Sequence, residues 1–132
     1  MTDGSDRVTF DDPVLLVEDH WNVREALAAT LEEFGHEVKV ASDGAEALQL
    51  LRAGLHPCVI LLDLMMPVMD GFAFRREQRA DPALAEIPII VVSGAVTTTT
   101  TDRVRDMEVA AVLWKPVDCD RMLGLVTGLC PS

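Results

Sequence analysis

Residues 57–63 read Pro57-Cys58-Val59-Ile60-Leu61-Leu62-Asp63: a proline, five apolar residues and then an acid. The run is the most apolar of several in the chain and is short enough for a strand. It lacks the alternation of a strand with one wet face, so it reads as a central strand covered on both sides. The pattern repeats around it. Val14-Leu15-Leu16-Val17 is a second buried run, and Val38-Lys39-Val40 alternates like an edge strand. Ile87 to Val92 is a fourth, with Pro88 tolerable only near its start, and Ala111-Val112-Leu113-Trp114 is a fifth.

Helical segments fall between these runs. Asn22 to Phe34 places Val23, Leu27, Leu31 and Phe34 on one face, and Gly35 stops it. Asp43 and Glu46 form a capping box for a helix through Leu51. Gly71 to Arg79 is a third helix, and Thr98 to Met107 a weaker fourth. Asp118 caps a last helix reaching about Leu129. Strands and helices that alternate five times imply parallel pairing in a sheet with helices on its faces. In such open sheets the binding crevice lies at the carboxyl ends of the strands, at a topological switch point.

Length and composition exclude other classes. The chain has 132 residues, the size of one domain, and 49% of them are apolar. Lys plus Arg number 11 against 22 Asp plus Glu, for a net charge of −11. That balance speaks against a nucleic-acid backbone or an anionic membrane as direct partner. No run is long and apolar enough to span a membrane, and the acidic start is unlike a secretory signal. The three cysteines are an odd number without Cys-x-x-Cys spacing, which points to neither a disulfide framework nor a zinc site. Cys58 reads as a small buried hydrophobe, while a helix between Cys119 and Cys130 would hold them roughly 16 Å apart. A reducing cytoplasm is the simplest location on these grounds.

The strand ends carry the chemistry. The first strand ends in Glu18-Asp19, the third in Asp63, the fourth in Ser93-Gly94-Ala95 and the fifth in Lys115-Pro116. Three convergent carboxylates repel one another unless a cation joins them. An all-oxygen set with open positions favours Mg²⁺ (or Mn²⁺), which keeps waters and accepts a phosphate oxygen. One carboxylate is then free to act as a nucleophile toward phosphorus. Lys115 is one of only two lysines in a chain with nine arginines, and a compact ammonium suits a single phosphoryl oxygen. Ser93 offers a hydroxyl, Gly94 and Ala95 leave an approach path, and Pro116 fixes the loop, a candidate cis bond.

These residues, with Asp63-Leu64-Met65-Met66-Pro67-Val68-Met69-Asp70-Gly71 and the spacing between them, resemble the receiver domain of bacterial two-component response regulators. The resemblance covers about residues 13–129, between a leader over 1–12 and a tail over 130–132. It implies a flavodoxin-like (βα)5 three-layer sandwich, with a five-stranded parallel sheet in order 2-1-3-4-5. It implies that Asp63 accepts a phosphoryl group from a phosphohistidine. Asp19, Asp63 and the backbone carbonyl of Met65 would bind Mg²⁺ directly, and Glu18 through a metal-bound water. Ser93 and Lys115 would hold the arriving phosphoryl group. The implied partner is a sensor histidine kinase or histidine phosphotransfer protein. The last two helices and fifth strand form a surface that receivers use for partners, a second copy included.

One position departs from the family pattern. Many receivers carry an aromatic residue or His three residues before the lysine, where this chain has Val112. Switching is then expected in the loop after the fourth strand and the helix beyond it. Thr97 to Thr101 lies there; five consecutive threonines cost about 0.5 kcal/mol each in a helix against Ala. Both a frayed helix start and a segment that reorders on signalling fit them. His20 and Trp21 are expected at the mouth of the site. Trp114 fits either core or partner surface, and Phe72, Phe74 and the Met65-Met66-Met69 group fit packing.

Three functions are weighed. The first is a phosphorylatable signalling domain, not an enzyme acting on external substrates. The second is a phosphatase or phosphotransferase with an aspartyl intermediate; the dehalogenase-like group places an Asp two residues after its nucleophile, where this chain has Met65. The third is a degenerate receiver that binds proteins without being phosphorylated, favoured only by Val112. The chain fits a stand-alone receiver and one drawn from a longer regulator or hybrid kinase equally.

Overall fold

The computed structural model describes residues 12–94 and 97–131. The leader before residue 12, Ala95 and the final residue of the tail therefore lie outside the described residues. Strands and helices alternate in the order β1 (Val14–Val17), α1 (Trp21–Glu33), β2 (Val38–Ala41), α2 (Gly44–Arg52), β3 (Val59–Asp63), α3 (Gly71–Ala80), β4 (Ile89–Ser93), α4 (Thr98–Met107), β5 (Ala111–Trp114) and α5 (Cys119–Leu129). All five strands pair in parallel, in the order β2-β1-β3-β4-β5. This is the flavodoxin-like order, and its direction reverses between β1 and β3.

Alternation along the strands divides the core. Leu15, Val17, Ile60, Leu62, Ile89 and Val91 face one side and pack against Leu48, Leu51, Phe72, Phe74, Val104 and Met107 of α2, α3 and α4. Val14, Leu16, Val59, Leu61, Ile90 and Val92 face the other, against Leu27, Leu31, Met122 and Val126 of α1 and α5. Period-2 geometry makes one uninterrupted apolar run serve two cores at once. Phe72 and Phe74 are packing residues as expected, but Met65 is 60% exposed and does not belong to the core. Met66 and Met69 do pack against it.

Caps set the helix starts. Asp43, Asp70, Thr97 and Asp118 each accept a hydrogen bond from the backbone N–H three residues on. Glu46 reaches back to Ser42 rather than to Asp43, so the second half of the capping box is displaced by one residue. The threonine run is helical from Thr98. Thr97 Oγ1 accepts from Thr100 N, and Thr101 Oγ1 donates to Thr97 O, which offsets the poor propensity of the first turn. At the far end of α4, Arg75 Nε donates to Met107 O at 2.9 Å and Arg79 Nη1 to Asp106 O at 3.1 Å. Two arginines of α3 thus satisfy carbonyls that end α4.

The cysteines depart from expectation. Cys58, just before β3, and Cys130, the C-cap of α5, form a disulfide with a Cα–Cα distance of 5.1 Å. Both side chains lie in the core between the sheet and the α1–α5 layer. Parallel topology brings the start of β3 and the end of α5 to the same edge of the sheet, a juxtaposition that cysteine spacing does not reveal. Cys58 is therefore not a lone hydrophobe, and the cysteine count loses its weight as an indicator of a reducing compartment. Cys119 is free and exposed. No described helix is long and apolar enough to cross a membrane.

The bridge closes a loop of 72 residues. In the chain-entropy picture a loop of this length stabilises by about 4 kcal/mol at 25 °C. Cys130→Ser is expected to lower the urea midpoint and melting temperature of the oxidised protein markedly. The same substitution should leave the melting temperature of thiol-reduced protein almost unchanged.

Candidate functional site

Strand register builds the site as a staircase. Val17 lies level with Leu62, so Glu18 and Asp63 leave β1 and β3 side by side. Asp63 lies level with Val92, and Ser93 is the next residue along β4. Ser93 lies level with Trp114, and Lys115 follows it. Each step moves one residue along the chain, and the four groups emerge at the carboxyl edge around the point where strand order reverses.

The side chains meet there. Lys115 Nζ lies 2.9 Å from Glu18 Oε1 and 3.4 Å from Asp63 Oδ2. Glu18, Asp63 and Ser93 are buried, at 1%, 4% and 0% exposure. Lys115 N–H donates to Ser93 O at 2.8 Å, tying the ends of β4 and β5 together. Met65 N–H donates to Asp63 Oδ1 at 3.3 Å. Arg24 Nη1 donates to Glu18 O at 2.8 Å, anchoring the end of β1 from α1. The Lys115–Pro116 peptide is cis. Among the described residues, a Cβ added to Gly94 would meet only Lys115 atoms, at 3.8 Å or more. Val112 is half-buried and packs against the core on the α3–α4 side.

Charge balance is uneven. Burial pushes Asp63 up, the Glu18 carboxylate beside it adds to the effect, and its pKa rises to about 6. Burial opposes ionisation of Glu18 too. Hydrogen bonds involving Lys115, Asp63 and the His20 backbone outweigh it and hold Glu18 below the ordinary carboxylate range. Burial alone would lower Lys115, but the two carboxylates hold it above its usual value.

The residues present fit a hard divalent cation. Asp19 Oδ1 is buried and makes no hydrogen bond of acceptable geometry, although His20 Nδ1 stands 3.2 Å away. Glu18, Asp19, His20 and Asp63 each offer a ligand atom, all within 4.8 Å of one another. An orphaned carboxylate oxygen inside a mostly carboxylate set is what an oxygen-seeking ion would satisfy. His20 is the member that sequence reasoning left at the mouth; its direct succession to Glu18-Asp19 was the available signal. Trp21, beside it, is 68% exposed.

Gly71 was legible as a helix start but not as a spacer. A Cβ there would stand 2.6 Å from Asp63 O and 2.9 Å from Leu64 Cα, both backbone atoms. Its N–H donates to Leu64 O at 3.0 Å. The start of α3 thus presses directly on the peptide that carries Asp63. In the loop between, Val68 adopts φ 67°, strained for a β-branched residue.

An open parallel sheet with an acidic cluster and a lysine at its switch point defines a class of α/β domain, and the comparisons narrow it. The chain belongs to the response regulator receiver domain family, whose model matches residues 14–127. It is 32% identical over 120 residues to the DNA-binding dual master transcriptional regulator RpaA of Synechocystis sp., covering 88% of this chain and 48% of that protein. It is 33% identical over 119 residues to the response regulator Rre1 of the same organism, 88% of this chain and 50% of that protein. The chain thus spans half or less of these relatives. A response regulator receiver protein from Pseudomonas putida superimposes with a TM-score of 0.84 at 32% identity, covering 92% of this chain and 99% of that one. The phosphorylated cyanobacterial phytochrome response regulator RcpA gives 0.77 at 28% identity, with 92% and 99% covered.

Two outcomes test the site. With an ordinary pKa of 3.8 and a folded value of about 6, Asp63 keeps its proton in the folded state after the unfolded chain has lost it. Stability of the metal-free protein should therefore fall as pH rises through this window. Asp63→Asn removes the effect, and is expected to be more stable than wild type at pH 7 by roughly 1–3 kcal/mol. The difference should vanish below about pH 4 in paired denaturation curves. Gly71→Ala is expected to cost about 1–3 kcal/mol in urea unfolding, because backbone atoms must yield to the new methyl.

Proposed function

We propose that this domain accepts a phosphoryl group on Asp63 from a phosphohistidine of a sensor histidine kinase or histidine phosphotransfer protein, in a Mg²⁺-dependent reaction. The observation that carries the reading is the approach of Lys115 Nζ to the buried Glu18 and Asp63 carboxylates at one edge of the sheet. A bound Mg²⁺, held by Asp19, Asp63 and the Met65 carbonyl with Glu18 acting through water, would neutralise charge on the phosphoryl oxygens. An ionised Asp63 oxygen attacks phosphorus, the P–N bond to the donor imidazole breaks, and the imidazole leaves with that electron pair. Lys115 follows the new negative charge, and Ser93 supplies a hydroxyl donor to the same group. Buried position keeps the reacting carboxylate in a fixed direction.

The donor must reach the mouth of the site. A groove of about 370 Å³ opens beside it, lined by Asn22, Val23, Ala26 and Leu27 of α1 and by Lys115, Pro116 and Val117. Its apolar floor next to the lysine suits a protein carrying the phosphohistidine. Met65, exposed and lacking an acid, gives no general base for turnover of external substrates, which favours a signalling domain over a phosphatase.

The signal is then proposed to pass through proteins at the α4–β5–α5 face, a second copy included, without direct contact with nucleic acid. DNA binding belongs to the name of the longer relative. With Val112 in place of a ring, the conformational response falls to Ser93, the loop after β4 and the Thr97-capped start of α4. A receiver that only binds proteins is the second reading, and Val112 is the observation that favours it.

Intact mass measurement after incubation with acetyl phosphate and Mg²⁺ separates the two. One phosphate adduct on the wild type, absent without the metal and absent in Asp63→Asn, is the expected result. An unmodified wild type under the same conditions would favour the second reading.

A further inference from the structure

His20 departs from the role of a bystander at the mouth. Its Nδ1 lies 3.2 Å from Glu18 Oε2 and 3.2 Å from Asp19 Oδ1, so the imidazole faces the two acids that begin the metal cluster. Its backbone N–H also donates to Glu18 Oε2, at 3.2 Å, which holds the residue at this place in the loop. The side chain is 63% exposed, and as the N-cap of α1 it makes no capping hydrogen bond. It is therefore free of other structural duties among its described contacts. The chain's other histidines are elsewhere: His36 follows α1, and His56 precedes β3.

An imidazole nitrogen changes which ion a carboxylate set prefers. Mg²⁺ takes oxygen ligands and keeps several waters, so a nearby nitrogen gives it little. Mn²⁺, Co²⁺ and Zn²⁺ gain from a nitrogen donor, increasingly along the Irving–Williams order. With Glu18, Asp19, Asp63 and His20 offering atoms within 4.8 Å of one another, one ion can lie among the three carboxylate oxygens and the ring nitrogen. Its ligands would come from consecutive residues at the end of β1 and from Asp63 on β3.

We infer that His20 is a metal-selecting ligand, which gives this receiver a nitrogen-containing site that favours a transition-metal divalent ion over Mg²⁺. The inference rests on the metal site proposed above. Bound through His20 Nδ1, such an ion would be tethered by one more group than Mg²⁺ and would exchange more slowly. The ring, 63% exposed and in neither core cluster, can swing toward the ion without disturbing the core.

Titration of the whole chain with Mg²⁺ and with Mn²⁺, followed by calorimetry and by quenching of Trp21, gives the affinity ratio. Electron spin-echo measurement on the Mn²⁺ form reads directly bound nitrogen. Wild type is expected to show a ¹⁴N coupling that disappears in His20→Gln. The same substitution should weaken Mn²⁺ by about tenfold or more while leaving Mg²⁺ nearly unchanged. Mn²⁺ bound without nitrogen coupling, with the affinity ratio unaltered in His20→Gln, would overturn the inference and leave the carboxylate metal site standing. Failure of both ions to bind, with Asp63→Asn indistinguishable from wild type, would overturn the inference together with the metal reading beneath it.

Discussion

Two buried carboxylates on neighbouring strands, with one ammonium between them, set the terms for the rest of the molecule. Glu18 and Asp63 are placed side by side by backbone register, and neither can retreat to solvent. Lys115 answers part of their repulsion, leaving Asp63 to keep a proton well above the usual carboxylate range. A folded state that holds such a pair must be supported elsewhere, and the support is the two-sided core beneath it. β3 buries alternate residues on opposite faces up to the acid itself. The unfavourable site is thus built at the end of one of the most completely buried strands in the domain.

The proposed binding of a cation and the proposed phosphoryl transfer draw on this same arrangement. An ion held by Asp19 and Asp63 would relieve the repulsion and would loosen the hold of the carboxylates on Lys115. The lysine is then at hand for a new negative charge at the same edge. Its backbone N–H is bonded to Ser93 O at the end of β4.

Most of this architecture was readable in the sequence because it rests on short-range patterns. Apolar runs, caps such as Asp43 and Asp118, and acids at strand ends are local signals, and parallel order follows from their alternation. What stayed hidden depends on distance. The Cys58–Cys130 bridge joins residues 72 apart, whose meeting follows only from the completed topology. Gly71 reads as a helix start until its closeness to the Asp63 peptide is seen. Met65 belongs by composition to a packing group, yet the loop turns it outward. His20 follows two acids in sequence, but whether its ring turns inward is decided by the bend between β1 and α1.

The disulfide has a topological consequence. It makes residues 58–130 a covalent ring that contains Asp63, Ser93 and Lys115, while Glu18, Asp19 and His20 lie on the open arm outside it. The site is assembled from both. A single backbone cut within the ring, for instance in the threonine run that starts α4, would leave the pieces of the oxidised chain joined as one molecule. A cut in the arm between His20 and β3 would release the acid pair and its imidazole from the rest. The site therefore keeps its covalent continuity when the ring is cut and loses it when the arm is cut between the acid pair and Cys58.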